Sequence, residues 1–176
     1  QLKMWIAKGW VARSRSPWGS RLLVVPKPRS PGEWRVCYDA RYLNSQSIVA
    51  NSWLPRREDL FDKLAGAKAV SCLDMQAAYM QVGLSRHDQP LTAFTVPGVG
   101  EASGSWEWKV MPFGLANAPH AFMSLMQRLL GHLPFVAVML DDIAVFSTDP
   151  SQHAEHLDIV LGLSLIHISE PTRRYA

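Results

Sequence analysis

Two adjacent carboxylates, Asp141 and Asp142, sit in VAVMLDDIAVFS (136–147) between two runs of mostly apolar residues. Asp is a common turn residue because its carboxylate hydrogen-bonds nearby backbone amides, so an Asp-Asp pair joining two strands is open to an ordinary hairpin reading. Ionised groups beside a core are nevertheless costly unless something compensates them. A third carboxylate, Asp74, lies near the end of another short, largely apolar run, AVSCLDM (69–75). If those strands are neighbours in one sheet, Asp74, Asp141 and Asp142 converge on one edge, and cations would relieve their repulsion. Oxygen ligands in such a cluster select Mg²⁺ or Mn²⁺ over Zn²⁺. Two such ions, roughly 3.5–4 Å apart, activate an attacking hydroxyl and stabilise the leaving oxygens of an in-line phosphoryl displacement.

The elements that must position these carboxylates follow from hydrophobic spacing and turn residues. Residues Leu2 to Val11 have helical spacing, broken by a segment containing Pro17 and Gly19. RLLVVPK and EWRVCYD predict two β-strands joined by PRSPG, whose Pro31-Gly32 suits a turn needing positive φ. After a polar loop, Pro55 with Glu58 and Asp59 opens a helix that places Leu60, Phe61 and Leu64 on one face and stops at Gly66. The strand ending near Asp74 follows, then a helical start over Gln76 to Gln81. TAFTV and SWEWKV predict further strands around the loop from Gly98 to Gly104. Asn117 as cap and Pro119 in the first turn predict a helix with Phe122, Leu125, Met126, Leu129, Leu130 and Leu133 at helical spacing. The Asp-Asp stretch comes next, and SQHAEHLDIVL starts one more helix. This order predicts an α+β fold with a split βαβ, ferredoxin-like unit and an antiparallel sheet.

Composition allows such a core. The chain has 176 residues, 48% of them hydrophobic, which suits one domain or slightly more. No run approaches the 18 or more apolar residues of a membrane span, and no secretory leader opens the sequence, so a soluble intracellular protein without membrane partners is the expectation. Cys37 and Cys72 lie in apolar surroundings without a metal or disulfide pattern and are expected in the core. His153 and His156, at i and i+3, lack a third ligand and are expected on a solvated face. Charge is segregated. Residues 1–35 carry eight Lys or Arg against Glu33 alone (+7), whereas residues 36–162 carry eight bases and thirteen acids (−5). A basic lobe beside an acidic one fits a protein that grips a polyanion with one part and holds metal ions with the other, although a solvated basic helix also accounts for the first.

Six blocks in order, SPW (16–18), WRVCYDARYLN (34–44), LDMQAAYMQV (73–82), TAFTVPG (92–98), WKVMPFGLANAPHAF (108–122) and MLDDIAVFS (139–147), resemble the reverse transcriptase of gypsy-type LTR retrotransposons. The resemblance implies the fingers and palm of a right-hand polymerase over residues 1–162, without a thumb. It implies template-directed addition of deoxynucleoside triphosphates to a primer 3′-hydroxyl on an RNA or DNA template. Asp74, Asp141 and Asp142 would hold two Mg²⁺ or Mn²⁺ ions, with the backbone carbonyl of Met75 as a further ligand. Arg35 matches the Arg that reaches the incoming triphosphate, whose geometry suits a guanidinium, and Lys27 or Arg29 would help neutralise it. Tyr79 matches the ring beneath the nucleotide sugar that disfavours a 2′-hydroxyl, and Phe113 another wall of that pocket. Both also suit core aromatics. Ala118 and Pro119 match a template-contacting stretch.

The same resemblance implies further polyprotein partners, an RNase H and an integrase, and a cytoplasmic virus-like particle. Departures bear on activity: Met139 stands where the family usually has Tyr, Met123 where Gln is frequent, and Leu91 where Lys is usual. A catalytically inactive, nucleic-acid-binding remnant is therefore the competing expectation. The start at Gln1, inside an amphipathic run, suggests a fragment. Leu163 to Arg173, LSLIHISEPTR, resembles the translation of a sequencing-library adapter, so residues 163–176 are read as an artefact, the other reading being a genuine helix that continues from His156-Leu157 and ends at Pro171.

Overall fold

The computed structural model describes residues 1–28, 30–50 and 56–168. Arg29, Pro55 and residues 169–176, named above, lie outside them. In chain order the elements are α1 (Leu2–Ala7), β1 (Val11–Arg13), β2 (Leu22–Pro26), β3 (Trp34–Tyr38), α2 (Arg41–Gln46), α3 (Arg57–Leu64), β4 (Ala69–Asp74), β5 (Phe94–Val96), β6 (Gly104–Trp108), α4 (Ala118–Leu130), β7 (Val136–Met139), β8 (Asp142–Ser147) and α5 (His153–Ile168). The described residues form two units, one of Gln1–Val49 with Val82–Ala118, the other drawn from Ala50–Gln81 and from Pro119 to Ile168.

The first unit is built on aromatic packing. β1, β6 and β5 form an antiparallel sheet in that order. Trp108, only 1% exposed, meets Trp5 at 4.7 Å, Phe94 at 5.7 Å and Tyr38 at 6.3 Å between ring centroids. Tilted and edge-on pairs of this kind add to the burial of large apolar rings. Arg13 lies over the Trp106 ring at 4.2 Å and donates to the carbonyls of Ser103 and Glu101, tying the glycine-containing loop to β1. β2 and β3 form a separate antiparallel hairpin, Leu22 opposite Tyr38 and Pro26 opposite Trp34, and Gly32 takes the positive φ, 85°, that its turn needs.

The second unit holds the antiparallel sheet β4-β8-β7. β8 lies between β4 and β7 and runs opposite to both, so β4 and β7 point the same way with a strand between them. The chain from β4 to β7 passes through β5 and β6 of the first unit and returns by α4, which makes this the expected split βαβ. Val136, Ala137, Val138, Ile143, Val145 and Phe146 are buried from the sheet, as are Phe122, Met126 and Leu130 of α4.

Five local expectations need correction. The helical spacing of residues 2–11 gives way at Gly9, φ 66°, and Val11 is instead a buried strand residue opposite Trp108. The polar loop contains α2, a helix without buried residues. Phe61 of α3 is 70% exposed, off the half-buried face of Leu60 and Leu64. Cys37, on β3, is half-buried, and Cys72 is exposed because β4 alternates between half-buried Ala69, Ser71 and Leu73 and exposed Val70, Cys72 and Asp74. His153 and His156 are half-buried and bonded: Ser71 Oγ lies 2.9 Å from His153 Nε2, and Ser147 Oγ lies 2.9 Å from His153 Nδ1 and 2.8 Å from His156 Nδ1. The His156 ring also stacks on Phe135 at 3.9 Å.

Candidate active site

Two-residue periodicity carries Asp74, the last residue of β4, onto the exposed side of its strand. β7 and β8 are joined by a two-residue turn, Leu140-Asp141, closed by the Met139–Asp142 pair. Leu140 has a φ of 56°, a conformation that a branched, non-glycine residue adopts at a cost. Such tight turns fix strand register. The register here sets Asp142 directly opposite Asp74, and side chains opposite one another in an antiparallel pair share a face. Asp141 is held alongside: its carbonyl accepts the Met75 N–H at 3.2 Å. All three aspartates are exposed.

Tyr79 joins this group from the short 3₁₀ turn Ala78–Gln81. Its ring stands edge-on to Phe122 of α4 at 5.5 Å. Partial burial raises the phenol pKa above its ordinary value, and the negative charge of Asp141 raises it further. The residue after Phe122 touches the turn itself, the Met123 sulfur accepting the Leu140 N–H at 3.1 Å.

The second unit thus gathers Asp74, Asp141, Asp142, Met75 and Tyr79. Among the described residues no three His, Cys, Asp or Glu side chains close around a common point. The donor set still fits a hard divalent cation. Mg²⁺ is usually held by one or two carboxylates, the rest of its octahedron coming from water and substrate phosphates. The facing Asp74 and Asp142, with Asp141 beside them, supply that kind of partial, all-oxygen site.

The remaining expected site residues belong to the first unit, apart from Pro119. Arg35 is exposed on β3 opposite Val25. Lys27 forms an ion pair with Glu33 across the same hairpin, so a phosphate would have to compete with that carboxylate. Phe113 is 53% exposed. Ala118 is buried at the start of α4 and Pro119 half-buried in its first turn, leaving little of the Ala118 side chain for a template. Asn117, expected as the cap, donates from its side-chain amide to the Ile48 carbonyl at 2.9 Å.

Sequence reasoning did not single out Asn44 or Asp39. Asn44 Nδ2 donates to the Gly114 carbonyl and its Oδ1 accepts the Ala116 N–H, both at 2.8 Å, holding the backbone next to Phe113. Asp39 accepts from Arg41 Nε at 2.9 Å and Nη2 at 2.7 Å, which holds its carboxyl well below the usual range, at about 2. Both residues lie within the block WRVCYDARYLN, the only signal that could have marked them.

Comparison with known proteins bears on this geometry. Residues 25–164 match the family model described as reverse transcriptase (RNA-dependent DNA polymerase). Over 131 residues the chain is 38% identical to an RNA-directed DNA polymerase homolog of Oenothera berteroana, covering 72% of this chain and 89% of that protein. It is 31% identical over 169 residues to the Pol polyprotein of transposon gypsy from Drosophila melanogaster, covering 92% of this chain but 16% of the polyprotein. Its fold resembles that of a foamy viral protease-reverse transcriptase solved with an RNA/DNA hybrid, with a TM-score of 0.82 and 23% identity over 94% of this chain and 21% of that one.

Proposed function

Since this chain belongs to the reverse transcriptase (RNA-dependent DNA polymerase) family, we propose that residues 1–162 are the fingers and palm of a gypsy-type retroelement polymerase that copies an RNA or DNA template. The primer 3′-oxygen attacks the α-phosphorus of a deoxynucleoside triphosphate. A phosphodiester bond forms, the bond to the bridging oxygen breaks, and pyrophosphate leaves. Asp74, Asp141 and Asp142, with the Met75 carbonyl, would hold two Mg²⁺ or Mn²⁺ ions. When bound, these ions lower the pKa of the attacking hydroxyl and neutralise charge on the leaving phosphates.

The chain's own residues do the rest. Arg35 offers a planar fork of donors to the triphosphate. Lys27 adds charge once a phosphate displaces Glu33. The Tyr79 ring, braced by Phe122, would lie beneath the sugar where a 2′-hydroxyl would collide, and Phe113, exposed on the first unit, is the other aromatic proposed for nucleotide binding. Pro119 and the backbone at Ala118 meet the template at the start of α4, whose N-terminal dipole favours phosphate although the Ala118 N–H itself donates to the Leu115 carbonyl. The rest of the element, including RNase H and integrase, and assembly in a cytoplasmic particle are part of the same proposal. Among the described residues no helix is long and apolar enough to cross a membrane. The family match ends at Ser164, two residues into the segment 163–176, and that this segment is an artefact is part of the same proposal.

The observation that carries this reading is the register that sets Asp142 opposite Asp74, with Asp141 in the turn. A binding measurement tests it. With a chain-terminated primer on an RNA template, fluorescence anisotropy is expected to show tighter binding when Mg²⁺ and the complementary nucleotide are added together, and no tightening with a mismatched one. Affinity indifferent to both would favour the inactive remnant, and shortening of the primer would favour a nuclease.

A further inference from the structure

We propose that Met123 is a positioning residue for the carboxylate turn, its thioether serving as the fixed acceptor that keeps Leu140 in its left-handed conformation. The inference rests on the metal-binding role proposed above for Asp74, Asp141 and Asp142. Leu140 is the first residue of a two-residue turn and has a φ of 56°. Nothing in its own branched side chain favours that conformation, so the surroundings must. Its N–H points out of the β7–β8 ladder to the Met123 sulfur, 3.1 Å away.

That sulfur is well placed to hold a position. Met123 is 3% exposed, and its helical neighbours Phe122 and Met126 are equally buried, so the thioether cannot swing out to water. If the acceptor is lost, the Leu140 amide is left without a partner beside a buried helix face, and the turn gains a reason to relax. Relaxation there would shift Asp141 and the first residue of β8, Asp142, against Asp74. Two consecutive residues of α4 therefore brace the site from two sides, Phe122 through Tyr79 and Met123 through Leu140.

The test uses two substitutions of similar volume in the 176-residue chain. Met123→Leu keeps the apolar bulk and removes the acceptor, a swap that cores tolerate well. Met123→Gln keeps the length and restores a stronger acceptor. Amide exchange at Leu140 and a Mg²⁺ titration followed at the Asp74, Asp141 and Asp142 amides are measured by NMR, beside single-nucleotide addition. Met123→Leu is expected to speed exchange at Leu140 and weaken Mg²⁺ binding, each on the order of 10-fold, with primer–template affinity unchanged. Met123→Gln is expected to restore both. Unchanged exchange and titration in Met123→Leu would overturn the proposal, as would equal losses in both variants, since packing rather than the acceptor would then be responsible. Failure of the unsubstituted chain to add nucleotides would count against the polymerase reading alone, leaving the two NMR measurements to decide the role of Met123.

Discussion

Asp74 and Asp142 face each other across the β4–β8 pair, two carboxylates in direct cross-strand register at the end of the sheet where the β7–β8 turn closes. Like charges directly opposite destabilise a strand pair, by on the order of 0.5 kcal/mol for neighbours of this kind. The molecule tolerates that repulsion at the place where cations would remove it.

Asp74→Asn is therefore expected to stabilise the metal-free protein while abolishing nucleotide addition. Thermal unfolding without divalent ions should show a midpoint about 1–2 °C higher than that of the unsubstituted chain. Adding Mg²⁺ should narrow or reverse the difference. An equal or lower midpoint without metal would show that the two carboxylates do not repel in the folded state.

Tyr79→Val should relax sugar discrimination, raising ribonucleotide relative to deoxynucleotide incorporation on the order of 10-fold, whereas Tyr79→Phe, which keeps the ring, should not. An ultraviolet titration should also find the Tyr79 phenol ionising above the ordinary value of 10.0. Because its folded pKa is raised, its effect on stability is absent below the unfolded value and becomes a loss as pH rises past it.

Ser147→Ala should cost about 1–3 kcal/mol, since the hydroxyl of Ser147, a residue only 2% exposed, serves both His153 and His156. Denaturant unfolding measures it. Ser147 is five residues along β8 from Asp142, about 17 Å at strand rise, so rates of nucleotide addition below the unfolding temperature should be unchanged.

Arg41→Ala should return the Asp39 carboxyl from about 2 toward its ordinary 3.8, read from its carboxyl carbon shift in an NMR titration. The depressed pKa contributes stability that is present above the unfolded value and lost as pH falls through about 2. Acid unfolding of the Arg41→Ala protein should lack that component.

How far the sequence could reveal these features depended on whether their cause was local. The β2–β3 hairpin announced itself through Pro31-Gly32 between two apolar runs, and the carboxylate turn through Asp141-Asp142 between β7 and β8. α2 was hidden because RYLNSQ has no apolar stripe; its place comes from Asn44 bonding to Gly114 and Ala116, some 70 residues away in sequence. Cys72 looked like core because its run is apolar, yet β4 is an edge strand with one exposed side. His153 and His156 were visible as a pair on one helix face, but Ser71 and Ser147 reach them only once β4 and β8 are in register. The bond from Leu140 to Met123 likewise needs α4 to be in place.

Single-nucleotide addition to a primer on an RNA template with Mg²⁺, at enzyme in excess over primer so that processivity plays no part, decides whether Asp74, Asp141 and Asp142 form a polymerase site. The unsubstituted chain, Asp141→Asn and Met139→Tyr are compared. Addition of the complementary deoxynucleotide is expected from the unsubstituted chain and from Met139→Tyr, and none from Asp141→Asn. Equal addition by Asp141→Asn, or silence of both the unsubstituted chain and Met139→Tyr, would overturn the polymerase reading.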